Sequence, residues 1–206
     1  MTTLVVYAKR TPIGKLSGAF TGVTAPQLAA PLVKDALRAT GLPADQVDEI
    51  IMGCVLPAGI GQAPARQASR GAGLPDSVGA TTVNKVCGSG MKAIMMGCQS
   101  ILLGESEVVV AGGMESMSRA PFMLDKARSG YRLGHGQLLD SIIHDGLWDP
   151  YNDMHMGMCG ELCAEKEGIP RSAQDQYAVQ SYEAAIKAVA AGAFNAAIAS
   201  GIRPRS

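Results

Sequence analysis

The sequence predicts an α/β fold, a parallel-rich sheet with helices on both faces, and three observations carry that expectation. Short apolar runs alternate with segments of helical period through the first 118 residues. Several runs, Val108-Val109-Val110-Ala111 among them, are apolar throughout rather than alternating in and out, as strands buried on both sides require. The runs also close at turn-forming residues, such as Lys9-Arg10-Thr11-Pro12 and Gly112-Gly113.

The first predicted strand is Thr3–Ala8, rich in β-formers. A helix follows with Thr24 as N-cap and Gln27 three residues on, the spacing of a capping box. Leu28, Leu32, Ala36 and Leu37 share one face of it, Pro31 is expected to kink it, and Gly41 ends it in a left-handed cap. Val47–Val55 contains the next strand, and Pro64–Ala72 reads as a short helix with proline in its first turn. The strand Thr81–Val86 then runs into Cys87 and a helix opening at Gly88-Ser89-Gly90. Met91, Ile94, Met95, Cys98, Ile101 and Leu102 recur at three- and four-residue spacing, so that face, Cys98 included, is read as core. Beyond Ser118 charges and glycines dominate as far as Asp153, which marks an excursion from the sheet. A strong helix returns after Pro170, with Ser172 as N-cap and Gly192 as stop, and Gly201–Ser206 is a tail without packing signal. No internal repeat is present.

Composition narrows the function. The 206 residues carry 18 Lys plus Arg and 18 Asp plus Glu, so the basic surplus of a nucleic-acid binder is absent. Hydrophobic residues make up 47%, enough for a real core. Five cysteines, an odd number, and no secretory leader before Leu4 predict a reducing, cytoplasmic compartment with free thiols. No uninterrupted apolar run approaches the length of a membrane span, so no membrane partner is expected.

Cys87 is the leading candidate for chemistry. A thiol is a nucleophile only as thiolate; at a free value near 8.5 roughly 3% is ionised at neutral pH, and helix N-termini raise that share. The first-turn N–H groups of a helix also suit an oxyanion formed beside the sulfur. Flanking glycines remove Cβ atoms that would obstruct a substrate. The competing reading is a small core residue, since free cysteine is among the most buried types. In the predicted sheet Cys87 lies at the C-terminal end of its strand, where open α/β sheets place their ligands.

A second cluster, His155, Cys159 and Cys163, falls at i, i+4 and i+8 of a helix. Three ligands from one helix cannot easily surround a tetrahedral ion, so no metal is expected. Close packing through Gly157 and Gly160, or a pocket lined by Met154, His155 and Met156, remain open. Arg119, Lys126, Arg128, Arg132 and His135 form a locally basic stretch, read as a solvated loop, or as a contact with a phosphorylated cofactor or another subunit. Gly71-Ala72-Gly73 is too short and poorly placed for a dinucleotide fingerprint.

The run Val83-Asn84-Lys85-Val86-Cys87-Gly88-Ser89-Gly90-Met91-Lys92-Ala93 closely resembles the nucleophile segment of the thiolases. Further segments resemble that family in the same order. They are Arg10–Gly14, Gly53–Ala68, Ala111–Ser118 with Met114 at the strand end facing the active site, Asp145–Asp149 and His155–Gly157. Arg128–Gly136 is similar to the loop with which the biosynthetic, acetoacetyl-coenzyme A type builds tetramers. The resemblance implies a thiolase-like layered fold: an incomplete α/β domain over 1–118, a loop domain over 119–194, and a divergent tail over 195–206. It implies reversible acyl transfer through Cys87, between acetyl-CoA and acetoacetyl-CoA, with Asn84, Gly88 and Met114 supporting the site. Leu147, His155 and Met156 carry over as residues around coenzyme A, whose thioesters are substrates; no bound cofactor is implied. A 3-ketoacyl-CoA thiolase of fatty acid metabolism and a decarboxylating condensing enzyme are the enzymatic alternatives.

The resemblance covers only the family's first half. The activating histidine, second cysteine and water-holding asparagine belong to the later half, and His135, His144 and His155 do not stand in that context. The second thiolase-like domain is thus absent from this sequence. The 206 residues are expected to be inactive alone, with a homo-oligomer or a complementing C-terminal half as partner. A non-catalytic acyl-CoA-binding fragment is the alternative of a different class.

Overall fold

The computed structural model describes residues 2–199; the predicted tail Gly201–Ser206 lies outside the described residues. The order along the chain is α1 (Ala25–Thr40), β1 (Glu49–Gly53), α2 (Pro64–Ala72), β2 (Gly79–Val83), α3 (Ser89–Leu103) and β3 (Val109–Gly113). After these come β4 (Phe122–Met123), β5 (Leu139–Asp140), β6 (Trp148–Asp149), β7 (Met154–His155), α4 (Met156–Lys166) and α5 (Arg171–Ala190).

The sheet is parallel, in the order β2-β1-β3. Parallel neighbours need a crossover, and α2 and α3 supply helical ones. Central β1 is buried on both faces: Ile50 and Met52 join the cluster formed with α1 and α2, while Gly53 abuts α3. The register sets Gly53 beside Val83 on one neighbour and Gly113 on the other, so all three strands end at one level. Asp48 fixes the opposite end by accepting from the N–H groups of Glu107 and Val108 at 2.7 and 2.9 Å.

Helix α1 begins at the predicted box: Gln27 N–H donates to Thr24 Oγ1 and Thr24 N–H to Gln27 Oε1. It continues through Pro31 as one element and ends at Gly41 with φ 70°. Its buried face is not the leucine stripe. Ala25, Ala29, Ala30 and Val33 are buried against α2, whereas Leu28, Leu32, Ala36 and Leu37 are half-buried. Small residues win because the helices approach closely; a Cβ on Gly71 would lie 3.0 Å from that of Ala30.

Four further expectations need correction. Thr3–Ala8 forms no strand, and Leu4, Val5 and Val6 are 75–78% exposed. β-propensity without a ladder partner does not make a strand. Tyr7 instead donates to Asp35 Oδ2 at 2.6 Å, and Arg10 exchanges backbone hydrogen bonds with Ala197 and Ala199. Strand β2 stops at Val83, because Asn84–Val86 belong to a turn. The apolar stripe of α3 is not core: Met91, Ile94, Met95 and Leu102 are exposed and Cys98 is half-buried, while Ser89, Ala93, Gly97 and Ser100 are buried. Helix α5 is capped by Pro170 and starts at Arg171, so Ser172 lies within its first turn; Gly192 follows its end at φ 69°.

The residues 86–103, mean hydropathy 1.3, are long and apolar enough by length and composition to cross a membrane, although Lys92 and Gln99 interrupt the apolar run. In the fold they form the turn and α3, packed on β1 and β3. Beyond β3, β4 and β5 pair antiparallel around an exposed excursion, and β6 and β7 form a second two-stranded ladder. Ala199, at the end of the described chain, is buried beside Arg10.

Candidate active site

Cys87 is exposed, which removes the core-filler reading. The preceding residue explains its presentation. Val86 has φ 47°, a left-handed conformation that a β-branched side chain adopts only when its surroundings impose it. Asn84 Oδ1 accepts from Val86 N–H at 2.9 Å, and Ser89 Oγ accepts from Lys85 N–H at 2.8 Å while donating to Val86 carbonyl at 2.6 Å. The turn is closed by Gly88 N–H to Lys85 carbonyl and Ser89 N–H to Val86 carbonyl, both 3.0 Å. Among the described residues the N–H groups of Cys87, Gly90 and Met91 have no backbone acceptor, as the first turn of a helix leaves them, and the Gly90 nitrogen lies against the ends of β1 and β3.

The glycines serve packing more than substrate access. A Cβ on Gly53 would sit 2.5 Å from the Ser89 carbonyl carbon and 2.6 Å from Gly90 N; one on Gly113 would sit 3.2 Å from Gly90 Cα. The first turn of α3 therefore rests directly on the ends of β1 and β3. Gly88 is the N-cap, with room at ordinary contact distance.

Glu115, singled out by no sequence argument of its own, closes the other side. Its carboxylate accepts from Val55 N–H at 2.8 Å and Leu56 N–H at 3.3 Å, with Cys54 Sγ 3.8 Å away. Burial, then the Glu115 charge, pushes the Cys54 thiol up to about 12, so it stays protonated and inert. Val55 carbonyl in turn accepts from Asn84 Nδ2 at 3.2 Å. Met114 is buried in the core cluster, and its N–H donates to Gly53 carbonyl at 2.9 Å.

Leu147, His155 and Met156 meet around the second ladder. Trp148, next to Leu147, pairs with His155, and Met156 follows. Leu147 and His155 are half-buried, Met156 exposed. His155 is the N-cap of α4, its Nδ1 accepting from Gly157 N–H at 3.0 Å, so it does not share a helix face with Cys159 and Cys163. Among the described residues no cluster of three or more His, Cys, Asp or Glu has metal-binding geometry. The basic stretch lies on the exposed excursion; a shallow hollow of about 330 Å³ there is lined by Asp125, Lys126, Tyr131, His135 and neighbouring residues.

The family described as thiolase, N-terminal domain, matches residues 3–202. This chain belongs to the thiolase family. It is 52% identical over 191 residues to acetyl-CoA acetyltransferase of Pseudomonas aeruginosa, covering 93% of this chain and 49% of that one. It is 54% identical over 190 residues to acetyl-CoA acetyltransferase 2 of Arabidopsis thaliana, covering 92% of this chain and 47% of that one. The structure superposes on the Acat5 thiolase of Ascaris suum, solved in complex with coenzyme A, with a TM-score of 0.89 and 40% identity over 93% of this chain and 50% of that one. The chain thus spans about half the length of these thiolases, and its α/β fold is theirs over that span.

Sequence reasoning put Asn84 in a strand and Cys87 and Gly88 just after it, whereas the structure gathers all three in one turn; it missed Glu115 and the strained Val86. A signal for Glu115 existed: it lies two residues past Gly113, as Val55 lies two past Gly53, and those glycines are register partners. Using it requires the strand order, which spacing alone does not supply.

Proposed function

We propose that this chain supplies the nucleophilic half of a thiolase-type acetyltransferase acting between acetyl-CoA and acetoacetyl-CoA. The observation that carries this is an exposed Cys87, held by a left-handed Val86 just before the start of α3. The relatives named acetyl-CoA acetyltransferase support the substrate class. Cys87 Sγ attacks the acyl carbonyl carbon; the new C–S bond forms as the bond to coenzyme A sulfur breaks, and the departing thiolate takes up a proton. The Cys87 N–H, which has no backbone acceptor among the described residues, is the donor assigned to the charge that develops on the carbonyl oxygen. In synthesis the acetyl group passes to the α-carbon of a second acetyl-CoA.

Leu147, His155 and Met156 contribute to the coenzyme A pocket. Partners are an acyl-CoA and either further copies of the chain or a complementing C-terminal half, in a reducing cytoplasmic compartment. By itself the 206-residue chain turns over little, because its histidines, His135, His144 and His155, lie on the excursion and the second ladder rather than at the Cys87 turn. The test is stopped-flow release of coenzyme A from acetyl-CoA. One thiol released per chain without further turnover, abolished in Cys87→Ser, is expected; an equal release from Cys87→Ser contradicts the proposal.

A further inference from the structure

We propose that Glu115, just past the end of β3, is a positioning residue for Cys87, acting through Val55 and Asn84 on the backbone of Val86. The inference rests on the reading of Cys87 as nucleophile and extends it to a residue that does not touch substrate.

The connection is continuous. Glu115 Oε2 and Oε1 hold the N–H groups of Val55 and Leu56. The peptide so fixed offers Val55 carbonyl to Asn84 Nδ2, which leaves Asn84 Oδ1 aimed at Val86 N–H. Asn84 is therefore used at both ends, donor on one side and acceptor on the other, and its amide orientation is determined. A valine at positive φ relaxes unless held, and its relaxation rotates the following Cα–Cβ bond, that of Cys87. Glu115 is the charged end of this relay, and hydrogen bonds to a carboxylate are the stronger kind.

The remaining side of the turn is held independently. Ser89 Oγ bonds Lys85 N–H and Val86 carbonyl from within α3. Loss of Glu115 thus loosens one wall while the helix start stays, and the expected effect is on thiol placement rather than on folding. Glu115→Gln keeps the shape but can accept only one of the two N–H groups and sets an amide donor against the other. Asn84→Asp keeps the acceptor for Val86 but loses the donor to Val55.

The experiment is iodoacetamide labelling of the 206-residue chain at neutral pH, read as the ratio of rates at Cys87 and at exposed Cys163 on α4. In Glu115→Gln the ratio is expected to fall about tenfold, the size of losing one charge-assisted hydrogen bond. Asn84→Asp is expected to lower it similarly, and the double variant no further than the more affected single, because both act through one link. Should Glu115→Gln not fold, Glu115→Asp, with the carboxylate drawn back by one methylene, is expected to give a partial fall. A reactive wild-type Cys87 whose ratio is unchanged in the Glu115 variant, or additive losses in the double variant, overturns the relay alone. A wild-type Cys87 that does not react overturns the nucleophile reading and the relay with it.

Discussion

At the level of single residues, the candidate nucleophile owes its position to unfavourable local geometry rather than to a favourable one. Val86 occupies a conformation that suits glycine, and three side-chain contacts from Asn84 and Ser89 keep it there. Val86→Gly relieves the strain but frees the turn, so it is expected to preserve or raise stability while slowing Cys87 labelling, measurable by urea unfolding beside alkylation. A second residue-scale expectation concerns pH. Asp35 is buried and bonded by Tyr7 and Arg38, with Lys9 nearby. The Tyr7 hydrogen bond, then that of Arg38, hold its carboxyl below the usual carboxylate range. A lowered value in the folded state means the stabilisation is present above the unfolded carboxylate value and is lost as pH falls through the folded one. Tyr7→Phe should therefore cost about 1 kcal/mol at pH 7, and the difference from wild type should shrink in acid, read by urea unfolding at both pH values.

At the level of elements, helix-to-sheet contact is made through small residues, and that decides which expectations held. Local signals were legible where one side chain dictates backbone: the Thr24–Gln27 box, Gly41 and the Pro64 start all stand as read. Periodicity located α3 but inverted its faces, because hydrophobic spacing says which residues share a side and not which side meets the sheet. The close fit of Gly53 against Ser89 and Gly90 admits only small residues there, so the methionines and isoleucine fall outside. The Thr3–Ala8 expectation failed for a nonlocal reason, a missing ladder partner, which no window of sequence contains. Cys87 was legible from its neighbours; Glu115 was not, because its role depends on β3 lying beside β1. Gly53→Ala is expected to destabilise the chain by about 1–3 kcal/mol, since backbone atoms at 2.5–2.6 Å leave the new methyl nowhere to go. An unchanged urea midpoint would show that α3 sits less closely than described. Just before the second ladder, Leu147→Ser should weaken coenzyme A binding by about tenfold by calorimetry, the scale of one buried apolar contact.

For the whole molecule, the described residues form one compact layered unit and a set of elements that stand away from it. Met91, Ile94, Met95 and Leu102 on α3, and Tyr177, Tyr182, Ile186 and Val189 on α5, are exposed together with Leu4, Val5 and Val6. Apolar surface of that extent promotes association. The three-stranded sheet also has open outer edges on β2 and β3 among the described residues, and such edges pair with other chains. The 206-residue chain is therefore expected to self-associate with rising concentration, and Ile94→Lys with Met95→Lys should reduce this without lowering the urea midpoint. A stable monomer at all concentrations in size-exclusion chromatography would contradict that expectation.

The most direct measurement is peptide mapping by mass spectrometry after incubating the chain with acetyl-CoA. The predicted result is an acetyl group on the peptide containing Cys87, labile to hydroxylamine as a thioester is, with buried Cys54 unmodified. Acetylation confined to another cysteine, with Cys87 still free and open to alkylation, would contradict the claim that the turn before α3 presents the acyl-accepting thiol.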